Sequence, residues 1–104
     1  WIGFYRVIDD KLQLGPFNGP IACTSIALGK GVCGKSWLHK KTYIVDDVHQ
    51  FEGHIACSPQ SNSEIVIPCI RRNQVFAVLD IDSTHYKMFD SEDQSYLEQI
   101  VSLL

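Results

Sequence analysis

The stretch Ser63-Glu64-Ile65-Val66-Ile67-Pro68-Cys69-Ile70-Arg71-Arg72-Asn73-Gln74-Val75-Phe76-Ala77-Val78-Leu79-Asp80-Ile81-Asp82 decides the fold class. Two apolar runs, 65–70 and 74–81, are rich in β-branched residues and parted by Arg71-Arg72-Asn73, which is the pattern of a β-hairpin. A second hairpin opens the chain: aromatic and β-branched residues over 2–8, a polar turn at Asp9-Asp10-Lys11, then Leu12-Gln13-Leu14 before Gly15-Pro16. Between the hairpins, 21–28 reads as a short extended segment broken by Gly29-Lys30-Gly31. Val32, Cys33, Trp37 and Leu38 then recur at near-helical spacing up to Lys40-Lys41. Thr42-Tyr43-Ile44-Val45 is a strand that stops at Asp46-Asp47, and 48–63 is an irregular loop. At the C-terminal end Asp90 is placed to cap a helix, with Asp93 three residues on and Tyr96, Leu97, Ile100, Val101 and Leu104 along one face. Hairpins outnumber βαβ units, so the expected class is α+β: a mainly antiparallel central sheet with helices packed on one face.

Composition fits one domain over 1–104. Of 104 residues, 45% are hydrophobic, and nine Lys plus Arg against twelve Asp plus Glu leave a net charge of −3. The basic residues are scattered singly or in pairs, with no stripe to follow a phosphate backbone, so no nucleic-acid partner is expected. The longest apolar runs, such as 75–79, fall far short of the ~20 residues of a membrane-spanning helix. A cytoplasmic protein without membrane attachment is expected. The chain begins at Trp1 rather than Met, inside an apolar run, which suggests a domain lacking an N-terminal helical portion.

The four cysteines, Cys23, Cys33, Cys57 and Cys69, stand at wide, unequal spacings and form no Cys-x-x-Cys pair, so neither a zinc site nor a disulfide framework is expected. Gly29-Lys30-Gly31-Val32-Cys33-Gly34-Lys35-Ser36 does satisfy the P-loop pattern, and Val75-Phe76-Ala77-Val78-Leu79-Asp80 resembles a Walker B strand. A P-loop must follow a buried parallel strand, however, and the strand–helix alternation of a doubly wound sheet is missing. These glycines are expected to form a turn and a helix start.

The residues that carry chemistry converge on the 63–82 hairpin and the loop before it. Glu64 opens one strand, while Asp80 and Asp82 end its partner on one face, across from Glu64. Three carboxylates at one sheet end read first as solvated strand-end acids. Asp80, which follows five apolar residues, points instead to a buried group needing a cation: a metal ion, a Lys or Arg, or a ligand's ammonium. In Gly53-His54-Ile55-Ala56-Cys57 a loop cysteine beside a histidine is a candidate nucleophile, with Cys23 and Cys33 both open as disulfide partners.

Taken together, Trp1-Ile2-Gly3-Phe4-Tyr5, Gly15-Pro16-Phe17, Ala22-Cys23, Gly29-Lys30-Gly31-Val32-Cys33-Gly34, Asp46-Asp47-Val48-His49, Gly53-His54-Ile55-Ala56-Cys57, Ser61-Asn62-Ser63-Glu64-Ile65-Val66-Ile67-Pro68, Val78-Leu79-Asp80-Ile81-Asp82-Ser83 and Phe89-Asp90 resemble the free methionine-(R)-sulfoxide reductases, which are GAF domains. The resemblance implies that the Cys57 thiolate attacks the sulfoxide sulfur, oxygen leaves as water, methionine departs and a sulfenic acid remains on Cys57. A second cysteine then closes a disulfide that thioredoxin reduces. Cys23 matches the resolving position best, with Cys33 a second candidate. By the same resemblance Glu64, Asp80 and Asp82 bind the polar part of the substrate, and Trp1 and Tyr5 line the pocket beside the methyl-sulfoxide group. No cofactor and no metal are implied, a homodimer is admitted, and the setting is the oxidative stress response. Two features depart from the family's pattern: Cys69, read as a core residue, and Ser58-Pro59-Gln60 after the nucleophile. The competing reading is a GAF sensor module that binds a small ligand in the same pocket without chemistry, its cysteines idle.

Overall fold

The computed structural model describes residues 1–57 and 60–104, so Ser58 and Pro59 of the departing tripeptide lie outside the described residues. Six strands form one antiparallel sheet. They are β1 (Ile2–Ile8), β2 (Lys11–Asn18), β3 (Ser25–Ala27), β4 (Tyr43–Val45), β5 (Ser63–Arg71) and β6 (Gln74–Ser83), in the order β3-β2-β1-β6-β5-β4. Among the described residues the α-helices are α1 (Gly31–His39) and α2 (Ser91–Val101).

Both expected hairpins form, each with a turn one residue shorter than its polar tripeptide. Asp9 and Asp10 take φ of 53° and 62°, and Arg72 and Asn73 take 54° and 65°. Paired positive φ values give the turn a twist that matches the flanking strands. β2 also runs on through Gly15-Pro16 to Asn18. Proline is tolerated there because β3 pairs only with Lys11 to Gln13, leaving the far side of β2 free, and because the β1–β2 register shifts between Gly3 and Tyr5.

Alternation along the central strands makes both faces of the sheet apolar. Tyr5, Val66 and Val78 pack with Leu12, Val45 and the α1 residues Val32 and Cys33. Ile65, Ile67, Cys69, Ala77 and Leu79 pack on the other side with Val101 of α2. The helices are thus shared between the faces. A single covered face, as anticipated from the hairpins, would leave Ile65, Ile67 and Leu79 in water, and α2 is what covers them. Cys69 is fully buried in this second core, in keeping with its reading as a core residue.

The helix ends follow their capping chemistry. The Asp90 carboxylate accepts from the backbone N–H of Glu92 and Asp93, while the Asp93 side chain accepts from the Asp90 N–H, a reciprocal box. α1 ends at Lys40 in the left-handed region. It also runs unusually close to the β3 turn: a Cβ on Gly34 would stand 2.7 Å from the Ala27 carbonyl oxygen, so only glycine fits.

The P-loop match dissolves here. The strand before Gly29 is the short edge strand β3, antiparallel to β2. Lys35 Nζ donates to the Glu52 carbonyl at 2.8 Å, and Ser36 Oγ donates to the Lys41 carbonyl at 2.8 Å.

Replacing Ile67 by alanine is expected to lower the unfolding free energy by roughly 2–5 kcal/mol, and Asp90→Ala by about 1 kcal/mol, both read from urea midpoints at unchanged slope.

Candidate active site

Register brings the site together. In the β5–β6 ladder Glu64 lies opposite Asp82 and Val66 opposite Asp80, so all three carboxylates project from the α1 face at one end of the hairpin. Glu64 and Asp80 are each only 6% exposed. With Cys33 they form a tight group: the Cys33 Sγ and one oxygen from each acid lie within 4.8 Å of one another. Asp80 Oδ1 is buried with no hydrogen-bond partner.

The loop from 46 to 62 is irregular but anchored. A 3₁₀ turn, Val48–Gln50, is capped by the Asp47 side chain, which accepts from the His49 N–H at 3.0 Å. Val48 is buried, and its N–H donates to the Asn62 carbonyl, while the Asn62 N–H donates to the Ser83 carbonyl. The loop thereby returns to the end of β6. It carries His54, whose Nε2 stands 3.8 Å from Glu64 Oε1, and Ile55, which packs over Gly31 at the start of α1.

Cys57, from this loop, is disulfide-bonded to Cys23, which lies between β2 and β3; their Cα atoms are 5.0 Å apart. Of the two partners open to Cys57, the structure pairs it with Cys23 and leaves Cys33 a free, buried thiol. Tyr5 is 1% exposed, and its hydroxyl donates to the Cys23 carbonyl at 2.9 Å. Trp1 stacks on Phe17 and Tyr5 at centroid separations of 5.9 and 6.1 Å, and its indole N–H donates to the Pro20 carbonyl.

Cys57, Glu64, Asp80, Asp82, Trp1 and Tyr5 border one pocket. Cys33 lines it too, whereas Cys23 reaches it through its bond to Cys57. The sequence reading passed over two further contributors. One is Ser61, which is buried; the other is the start of α1, where Lys30, Gly31 and Val32 face the same space. Lys30 caps the helix in extended conformation with no side-chain hydrogen bond. The first backbone N–H groups of a helix have no partner within it, so this end presents free donors and a partial positive charge to the pocket. The Gly29-Lys30-Gly31 helix start was the signal that could have revealed it.

Burial sets the protonation of the acids. Loss of hydration, reinforced by Asp80, drives Glu64 well above the usual carboxylate range and lifts Asp82 to about 8. Asp80 is itself raised by burial. Burial, then the nearby Asp80, also pushes the Cys33 thiol well up, while burial and then His49 lower His54. Burial thus favours the protonated form of the carboxyls and the neutral form of the imidazole, which can donate as well as accept hydrogen bonds.

A family model described as GAF domain matches residues 2–104, and the chain belongs to that family. It is 52% identical over its full length to GAF domain-containing protein A of Dictyostelium discoideum and 51% identical to the free methionine-R-sulfoxide reductase of Escherichia coli K12. The chain spans just under two thirds of these curated relatives, 66% and 63% of their lengths. Among solved structures, the free methionine-R-sulfoxide reductase from Neisseria meningitidis in complex with its substrate superimposes with a TM-score of 0.97 at 46% identity, over 99% of this chain and 63% of that one.

The raised carboxyls make a pH signature. In the unfolded chain they lose their protons near pH 4, whereas folded Asp82 keeps its proton to about 8. Between those values the folded state binds more protons than the unfolded, so the cluster's contribution to stability falls as pH rises. Urea midpoints of the oxidised protein are expected to drop from pH 5 to pH 8, and Glu64→Gln to flatten the fall and raise the midpoint at pH 8.

Proposed function

We propose that this domain is a thiol-dependent reductase of free methionine-(R)-sulfoxide, with Cys57 the nucleophile and Cys23 the resolving cysteine. One observation carries the reading: the Cys23–Cys57 disulfide borders a pocket whose inner wall holds Glu64, Asp80 and Asp82. A disulfide so placed is suited to form and break during turnover. The named reductases among the relatives, and the substrate-bound structure from Neisseria meningitidis, support the same choice.

The pocket's charge pattern fits a free amino acid. The acids match an ammonium, while Lys30 and the free donors at the start of α1 suit a carboxylate. Trp1 and Tyr5 give the thioether end an aromatic wall, a contact worth ~0.3–1.5 kcal/mol. A peptide-bound residue has neither free terminus for these two poles.

The chemistry balances as follows. The Cys57 thiolate attacks the sulfoxide sulfur while a protonated carboxyl of the cluster donates to the sulfoxide oxygen. The protonated sulfoxide oxygen leaves as water, a second water then adds to the Cys57 sulfur and breaks its bond to the methionine sulfur, and methionine departs with Cys57 left as a sulfenic acid. Cys23 then attacks that sulfur, the hydroxyl leaves as water, and the disulfide forms. Overall the two thiols lose two electrons and two protons, and the sulfoxide oxygen leaves as water. Thioredoxin returns the disulfide to thiols, and the reaction belongs in the cytoplasm, where disulfides of this kind are transient and catalytic.

With dithiothreitol or thioredoxin as reductant, the protein is expected to convert free methionine-(R)-sulfoxide, but neither the (S) epimer nor a peptide-bound residue, and Cys57→Ser to abolish turnover. Without reductant, mass spectrometry should find one methionine released per chain and one new disulfide joining Cys23 and Cys57. Substrate binding without methionine release would identify a ligand sensor instead. If the carboxylates hold the ammonium, Asp82→Asn should raise KM.

A further inference from the structure

Cys33 has no part in the reaction just described, yet it is buried and lines the same pocket. Its Sγ and one oxygen each of Glu64 and Asp80 are mutually within 4.8 Å, and all three residues are buried. Asp80 Oδ1 is unpartnered although its residue is only 6% exposed, which leaves a buried carboxyl oxygen in the pocket it shares with a thiol. Among the described residues the one ion-pair contact to these acids comes from His54, at 3.8 Å from Glu64. We propose that Cys33, Glu64 and Asp80 form a binding site for a divalent transition-metal ion of the zinc class, independent of the reductase reading.

The donor set selects the ion. One sulfur and two carboxylate oxygens suit zinc or cobalt, which bind sulfur at about 2.3 Å and oxygen at about 2.0–2.2 Å; magnesium and calcium take oxygen alone. Tetrahedral coordination with those bond lengths puts ligand atoms roughly 3.3–3.7 Å apart. The present separations thus need to close by about 1.5 Å at most. The fourth position is left to water. A bound ion would fill the place that an ammonium needs, so it would compete with an amino-acid ligand.

Cobalt(II) is the probe, because a thiolate ligand gives it a charge-transfer band in the near ultraviolet. In the oxidised protein Cys23 and Cys57 are joined, so the free thiols are Cys33 and Cys69, and Cys69 is in the opposite core. The expected result is a thiolate–cobalt band that saturates at one equivalent, is bleached by zinc and withstands excess magnesium. The band should persist in Cys69→Ser and vanish in Cys33→Ser. Should Cys33→Ser fail to fold by circular dichroism, Glu64→Gln and Asp80→Asn decide: each should keep the band and weaken cobalt binding about tenfold or more. Absence of the band at large cobalt excess, its survival in folded Cys33→Ser, or unchanged affinity in both carboxyl variants overturns the site. None of these readouts depends on turnover.

Discussion

The register that sets Glu64 against Asp82 and Val66 against Asp80 is the constraint on which the site rests. It gathers three carboxyls on one face of a strand pair whose neighbours are apolar. A slip of one residue would turn them to the α2 side and put Ile65, Ile67 and Leu79 into the pocket. The turn at Arg72-Asn73 holds this register, and so does the apolar patterning of both faces. Chemistry and fold are therefore specified by the same alternation.

Holding those acids out of water is costly, and the cost is local. On the α1 side the core must accommodate Glu64, Asp80 and the Tyr5 hydroxyl, the last satisfied by the Cys23 carbonyl. The α2 side has no such duty and is packed with apolar residues throughout. The sheet divides the labour: one face supplies stability, and the other spends part of it on a pocket with unusual proton affinities. Loop anchoring serves the same end, since Val48 and Asn62 tie the segment bearing His54 and Cys57 to the end of β6.

Much of this was legible in the order of residues. The two hairpins, the position of α1, the Asp90–Asp93 cap and the shared face of Glu64, Asp80 and Asp82 all follow from short-range pattern, because period and turn chemistry act over a few residues. What was not legible depends on distance in space. The choice between Cys23 and Cys33 turns on how the 46–62 loop folds back, and no spacing along the chain encodes a 5.0 Å Cα separation. The sharing of the helices between the two faces was hidden for another reason. Strands buried on both sides read as continuous apolar runs, which do not say how many helices are needed to cover them. The contribution of the α1 start was concealed by a motif that matched the wrong chemistry, although its free backbone donors are common to both readings.

The Cys23–Cys57 bond spans 34 positions of the chain. By loop-closure entropy alone, a cross-link of that length restricts the unfolded ensemble enough to favour the native state by about 4 kcal/mol. The oxidised chain is thus the sturdier one, and reduction, which parts Cys57 from Cys23, also loosens the protein. Its survival against proteases is then tied to the supply of reductant: when electrons are scarce the molecules accumulate in the form that resists degradation.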